Sequence, residues 1–428
     1  MERFINLRGE DIPKYWYNVK ADLPFEMDPP LDPQTMKPMD PSKLEVLFPK
    51  ALVIQEGTKE KEIQIPQKVR EAYALYRPTP LVRAFGFEKA LKTPAHIYYK
   101  NESVSPTGSH KLNTALAQAY YNLEEGTNKI STETGAGQWG SALAFAGSYF
   151  NLDVNVFMVK ISFEQKPARK YMVNLFNGKI HPSPSDFTNY GKQILESSPN
   201  STGSLGMAIS EAIEYALSKG KTHYSLGSVL DHVLLHQTVI GQETKKQMEL
   251  AGEEPDVLIG CFGGGSNFGG FTLPFIPLKM KKDALEIVAC EPTECPSFTK
   301  GEYKYDYGDT AHLTPMLKMY TLGSEFIPPP IYAGGLRYHG ASPIISRLVK
   351  EGYMKAIAIS QEEAFDSARL FSVSEGIIPA PETSHAIAGV ARYAKACAES
   401  GEKKVIVFNF SGHGLLDLNS YVKNINQN

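Results

Sequence analysis

Little in this sequence points toward a membrane, a nucleic acid or an oxidising compartment. Its 428 residues include only four cysteines, Cys261, Cys290, Cys295 and Cys397. Their spacing matches neither a metal site nor a redox motif, so reduced thiols in a cytoplasmic protein are expected. No apolar run is long enough to span a bilayer, and Met1 to Lys14 has no signal-peptide core. Neither sign of charge dominates: 44 basic and 47 acidic side chains leave a net charge of -3. That balance gives no electrostatic case for nucleic acid or an anionic membrane as partner, though local donors can still bind a small anion. Internal repeats and low-complexity tracts are also missing, and no metal is expected.

What is present is an α/β pattern. Strands are expected at Ala95–Tyr99, Val154–Lys160, Asp256–Phe262, Leu285–Cys290, Lys355–Ile359 and Lys404–Phe410. Between them, Leu112, Ala115, Leu116, Ala119, Tyr120 and Leu123 repeat at helical spacing, as do Leu205, Ile209, Ala212, Ile213 and Ala216. Alternation of this kind implies parallel sheets covered by helices, with ligands beyond the carboxyl ends of the strands. The first 80 residues differ. Seven prolines from Pro24 to Pro49 predict an extended arm, anchored by Leu44, Val46, Leu47 and Phe48.

Four loops carry the chemistry. In Ser105-Pro106-Thr107-Gly108-Ser109-His110-Lys111-Leu112-Asn113, Thr107 or Ser109 can cap a helix that has Lys111 in its first turn. Positive potential and burial there both favour a neutral amine, as a Schiff-base lysine requires. Gly263-Gly264-Gly265-Ser266-Asn267 follows a strand and can cradle a small phosphate with backbone amides. It has neither the lysine of a nucleotide P-loop nor a dinucleotide fingerprint. The third loop is Glu133-Thr134-Gly135-Ala136-Gly137-Gln138-Trp139-Gly140. It exposes amides suited to a carboxylate, with Glu133 beside them as an acid or base. Ser411, in Asn409-Phe410-Ser411-Gly412-His413-Gly414, offers a neutral hydroxyl at a strand end. Each loop alone also reads as an ordinary turn; their combination suits a pyridoxal site.

These motifs, from Arg77-Pro78-Thr79-Pro80-Leu81 to Gly414, resemble the tryptophan synthase β chain family. The proline-rich arm and Trp139 resemble its divergent second class. The resemblance implies a fold-type II pyridoxal-phosphate architecture with two three-layer αβα domains and mostly parallel, twisted sheets. It divides the chain into an arm and domain start over 1–76 and an N-terminal domain over 110–228. A mobile communication-type subdomain covers about 126–213 of the latter. A C-terminal phosphate-binding domain takes 77–109 and 229–428. The implied reaction replaces the β-hydroxyl of L-serine, or the phosphate of O-phosphoserine, with indole.

By the same resemblance, Lys111 carries pyridoxal 5'-phosphate covalently and Glu133 assists departure of the hydroxyl and addition of indole. His110, Asn113 and Gly263 to Asn267 bind the cofactor, Glu375 flanks its ring, and Ser411 meets its pyridine nitrogen. Thr134, Gly135, Ala136, Gly137, Gln138 and Trp139 bind substrate. A homodimer is implied, with a transient α-chain partner. Three positions depart from the main class. Trp139 replaces a histidine, Leu415-Leu416-Asp417 replaces a charged run, and Arg337 stands near a usual aspartate. Arg337 motivates an anionic substrate and keeps other β-replacements or deaminations of serine, phosphoserine or threonine open. A non-enzymatic scaffold is the third alternative, opposed by Lys111, Glu133 and the intact glycine loop.

Overall fold

The strand-forming runs assemble into two main sheets in the computed structural model, which describes residues 2–425. The larger has seven strands in the order Phe4–Ile5, Leu81–Arg83, His96–Asn101, Val405–Phe410, Val257–Cys261, Glu286–Pro292 and Lys355–Ile359. The first two pairings are antiparallel and the rest parallel. Val405–Phe410, at the centre, is buried along its whole length. This explains its near-continuous apolar sequence, since helices cover both faces of a parallel sheet. The smaller sheet is wholly parallel, ordered Lys179–Ser183, Asp153–Val159, Lys129–Thr134 and Thr222–Ser225. Its strands all come from one stretch of chain, whereas those of the larger sheet lie on both sides of that stretch.

Five of the six expected strands shift by one or two residues at an end, and Lys355–Ile359 falls where expected. Both expected helices form, as Leu112–Glu124 and Leu205–Ser218. Helix Leu205–Ser218 is capped by Ser204, whose hydroxyl accepts the amide of Met207. The cap expected before Leu112 does not form. The residue at that cap is Lys111, with helical backbone angles, and the hydroxyls of Thr107 and Ser109 are buried without a partner.

The arm is more structured than its prolines suggest. Tyr15–Tyr17 pairs antiparallel with Glu62–Gln64, and Lys50–Gly57 is helical. Trp16 is completely buried, its ring 4.4 Å from that of His236. The Tyr17 amide donates to Thr238 Oγ1 (3.0 Å). No described helix is long and apolar enough to cross a membrane.

Beneath the site lies a fully buried ion cluster. Arg77 pairs with Glu102 (2.9 Å) and Glu243 (2.9 Å), and Lys100 donates to Glu243 (2.7 Å). Two cations against two carboxylates neutralise the cluster, which is how such charges survive out of water. It reaches the helix that follows Lys111: Asn113 Oδ1 accepts from Arg77 (2.8 Å), and Asn113 Nδ2 donates to Glu102 (3.0 Å) and Gln237 (2.9 Å).

Candidate active site

A cavity opens where carboxyl ends of strands from both sheets face each other. Strand Lys129–Thr134 brings Glu133 to it, and strand Val257–Cys261 leads into the glycine turn. Strand Val405–Phe410 leads directly into Ser411. The turn His110–Lys111 is held to it because the amide of His110 donates to the Ser411 carbonyl (2.9 Å).

At the polar end of the cavity, Lys111 Nζ donates to the carbonyl of Gly227 (2.5 Å) and to Ser266 Oγ (3.0 Å). Burial lowers its pKa to about 8, against the opposing pull of Glu133, Cys261 and Glu382. His110 Nε2 lies 3.2 Å from Ser266 Oγ, and burial, with Lys111 beside it, lowers its pKa to about 3, so the ring is neutral. Glu133 is buried, and burial raises its pKa to about 7. Tyr224 opposes that shift by donating its hydroxyl to Glu133 Oε2 (2.6 Å). Ser411 Oγ is 2.7 Å from Thr383 Oγ1 and 3.5 Å from the Cys261 sulfur. Burial pushes that thiol up to about 12, so Ser411 has only neutral neighbours there.

The glycine turn has little room for side chains. A Cβ on Gly264 would lie 2.3 Å from Ser228 Oγ, and one on Gly263 would lie 2.7 Å from the carbonyl oxygen of Gly335. Gly265 adopts φ +111°, which side-chain-bearing residues rarely tolerate. The cavity also meets Ser109, whose buried hydroxyl has no partner. Together these groups fit pyridoxal phosphate: an amine with a lowered pKa, a turn that presents backbone, an unsatisfied hydroxyl and a neutral serine.

Away from this end much of the wall is hydrocarbon. Leu47, Phe48, Leu52 and Val53 come from the arm, and Ile209 and Leu226 from the small-sheet region. The arm is attached there by a hydrogen bond from the Tyr224 amide to the Leu47 carbonyl (2.8 Å).

Comparison with known proteins agrees with this geometry. Residues 73–412 match the family described as pyridoxal-phosphate dependent enzyme. The chain is 63% identical to "Tryptophan synthase beta chain 2" of Thermotoga maritima, over 99% of this chain and 100% of that one. It is 62% identical to "Tryptophan synthase beta chain" of Pseudothermotoga lettingae, covering 98% and 99%. It is 57% identical to "Tryptophan synthase beta chain 2" of Methanosarcina acetivorans, covering 98% and 95%. The chain belongs to the tryptophan synthase β chain family. It is a pyridoxal-phosphate-dependent enzyme. A fungal L-serine ammonia-lyase from Rhizomucor miehei, 16% identical, superposes with a TM-score of 0.63 over 82% of this chain and 99% of that one, and shares the fold.

In this β-chain fold, Lys111, Glu133, His110, Gly263 to Asn267 and Ser411 all line one cavity, with Thr134, Gly135, Ala136, Gln138 and Trp139. Four expected residues do not line it. Asn113 is locked in the ion cluster below. Gly137 turns the loop at φ +96°, its Cα against the Arg169 side chain. Glu375 faces the other way, accepting from Arg3 (2.7 Å) and from the Phe87 amide (2.8 Å). Gly376, in the left-handed conformation, ends its helix, and the chain reverses before the next helix begins at Pro381. Of the two glutamates in this run, Glu382 lines the cavity, accepting from the Gly335 amide (2.8 Å) and Gln138 Nε2 (3.0 Å). Arg337 is buried behind the wall, donating to the Pro328 carbonyl (2.7 Å).

Sequence reasoning missed Glu382, Tyr224 and the Gly227 carbonyl. Glu382 had a local signal, a carboxylate at the start of a helix in the same run as Glu375. Tyr224 and Gly227 had none, because their relation to Glu133 and Lys111 exists only once the strands pair. Trp139 donates Nε1–H to Thr132 Oγ1 (2.6 Å). Its ring faces Gly227, where a Cβ would lie 2.5 Å from the indole, so Trp139 fixes the segment whose carbonyl receives Lys111.

Proposed function

We propose that this protein joins L-serine and indole, replacing the β-hydroxyl of serine with C3 of indole to give L-tryptophan and water. The observation that carries the reading is one cavity that joins an amine and a proton-carrying carboxylate to a gallery lined by Leu47, Phe48, Leu52, Val53, Ile209 and Leu226. Bound pyridoxal phosphate supplies an electron sink that lets the α-proton leave and weakens the bond to the β-oxygen.

The chain's own groups supply the rest. Lys111 would hold the cofactor and would take and return the α-proton of serine, with the Gly227 carbonyl to receive its ammonium form. A pKa near 7 lets Glu133 give a proton to the departing hydroxyl and then accept one from indole. Amides of the Thr134–Trp139 loop bind the substrate carboxylate. Gly263 to Asn267, Ser109 and His110 hold the phosphate. Ser411 would offer the cofactor's ring nitrogen a neutral hydroxyl partner rather than a charged one. Glu382 takes the ring-flanking place expected of Glu375. The gallery excludes water, so indole rather than hydroxide adds. Serine is the donor in this reading, since Arg337, which motivated phosphoserine, is engaged elsewhere.

We further propose that residues 110–228 move as one domain against 77–109 and 229–428, with about 126–213 as the mobile part. The protein acts as a cytoplasmic homodimer, with an α chain docking transiently. The test is tryptophan formation from L-serine and indole by protein loaded with pyridoxal phosphate, alongside Lys111→Ala. Formation by the first and not the second supports the assignment. Deamination of serine with indole left untouched points to the alternative lyase reading.

A further inference from the structure

The gallery's wall carries two ionisable side chains among its hydrocarbon ones. Glu56, on the arm helix Lys50–Gly57, and His232, on the helix Asp231–Gln237, both line the cavity. They lie beyond the reacting groups. Tyr224, bonded to Glu133, has its ring 5.7 Å from that of Phe48, and Phe48 is 5.8 Å from His232, edge-on.

Glu56 fixes the state of this histidine. Its Oε1 accepts the Asp231 amide (2.9 Å), and its Oε2 accepts the His232 amide (2.9 Å) and Nδ1 (2.8 Å). A carboxylate so placed makes Nδ1 the hydrogen-bearing nitrogen. Lys20 completes the cluster, donating to the Glu56 carbonyl (2.6 Å) and to Asp231 Oδ2 (3.1 Å). The His232 side chain is only 2% exposed, yet its Nε2 has no hydrogen-bond partner. The neighbouring His236 is a useful contrast. Away from the cavity, it has both nitrogens engaged, by Thr114 (3.0 Å) and Gln55 (2.8 Å). Buried polar atoms are rarely left unpaired, and an exception in a cavity wall asks for a ligand group.

We propose that His232, positioned by Glu56, is a polar anchor for a hydroxyl on the benzo ring of the aromatic nucleophile. The inference rests on the reading of the gallery as the nucleophile's chamber. A phenolic hydroxyl both donates and accepts, so it pairs with His232 in either protonation state. The arm, through Glu56, therefore contributes to the choice among aromatic substrates.

Calorimetric titration of the holoenzyme with indole and with each benzo-ring hydroxyindole tests this without relying on turnover. One isomer should bind about five- to tenfold tighter than indole, the gain of one hydrogen bond to a buried partner. In His232→Phe that ratio should collapse to about one, and in Glu56→Gln it should fall. An equal preference in wild type and His232→Phe overturns the anchor, as does the absence of any isomer preferred by the wild type. The second outcome means that Nε2 holds only water, and it decides even if the variant does not fold. If the ratio behaves as expected but indole is never converted to tryptophan, the proposed reaction fails while the anchor stands.

Discussion

Burial of Glu133 has a consequence for stability that is separable from activity. Its carboxyl titrates at about 7 in the fold against an ordinary value of 4.5, chiefly because burial disfavours the charged form. The folded state thus keeps this proton to higher pH than the unfolded chain does. Stability contributed by the neutral group is fully present below pH 4.5 and is lost as pH rises through 7. Above that window the ionised, buried carboxylate costs the fold about 3 kcal/mol. Glu133→Gln removes the ionisation while keeping an oxygen to accept from Tyr224. The variant should equal wild type near pH 4 and exceed it by about 3 kcal/mol at pH 8, with tryptophan formation abolished. Urea unfolding of the two cofactor-free proteins side by side reads the difference, because titrating groups that do not interact with Glu133 cancel, leaving Lys111 and Tyr224 as the neighbours whose own titration moves with it. A variant no more stable at pH 8 than at pH 4, relative to wild type, would refute the argument.

Other outcomes follow from the same geometry. With Lys111 at a pKa of about 8, roughly one molecule in ten has a neutral amine at pH 7, against roughly one in three thousand for an ordinary lysine. Capture of pyridoxal phosphate by cofactor-free protein, followed by absorbance, should accelerate up to about pH 8 and then level off; continued acceleration to pH 10 contradicts the lowered pKa. Tyr224→Phe removes the one side-chain donor that favours ionised Glu133. It should move the Glu133-dependent limb of the kcat/KM profile to higher pH, and an unmoved limb would show that the hydroxyl is only structural. Glu243→Gln leaves Arg77 and Lys100 short of a counter-charge and should cost about 3–5 kcal/mol in denaturant unfolding. Gly264→Ala should weaken cofactor affinity in a fluorescence titration, since its Cβ meets Ser228; unchanged affinity would mean that the turn relaxes freely.

How much the sequence revealed depends on the distance over which each feature is determined. That Lys111, Glu133 and Gly263 to Asn267 belong to one cavity could be anticipated because each lies in a short distinctive run after a strand. The helices beginning at Leu112 and Leu205 were legible from spacing alone. The sequence pointed to Glu375, whereas the glutamate of this run that lines the cavity is Glu382, seven residues on and across a helix break. Which one turns inward depends on the left-handed Gly376 and the reversal before Pro381. Arg337 looked available because a charge in a glycine-rich loop reads as exposed, whereas its guanidinium is buried against Pro328. The arm was underestimated for a related reason. Prolines forecast an extended chain, but burial of Trp16 and the hydrogen bond from Tyr224 to Leu47 depend on partners some 200 residues away in sequence. Sheet order was likewise out of reach, since pairing Val405–Phe410 between His96–Asn101 and Val257–Cys261 joins both ends of the chain.

The most direct test of the central claim follows an atom. The holoenzyme is incubated with indole and L-serine labelled with carbon-13 at Cβ, and the products are separated and read by mass spectrometry. The account predicts labelled L-tryptophan carrying the isotope at its own Cβ, one molecule for each serine consumed, and none from Lys111→Ala. Label appearing in pyruvate while indole is recovered intact would contradict it.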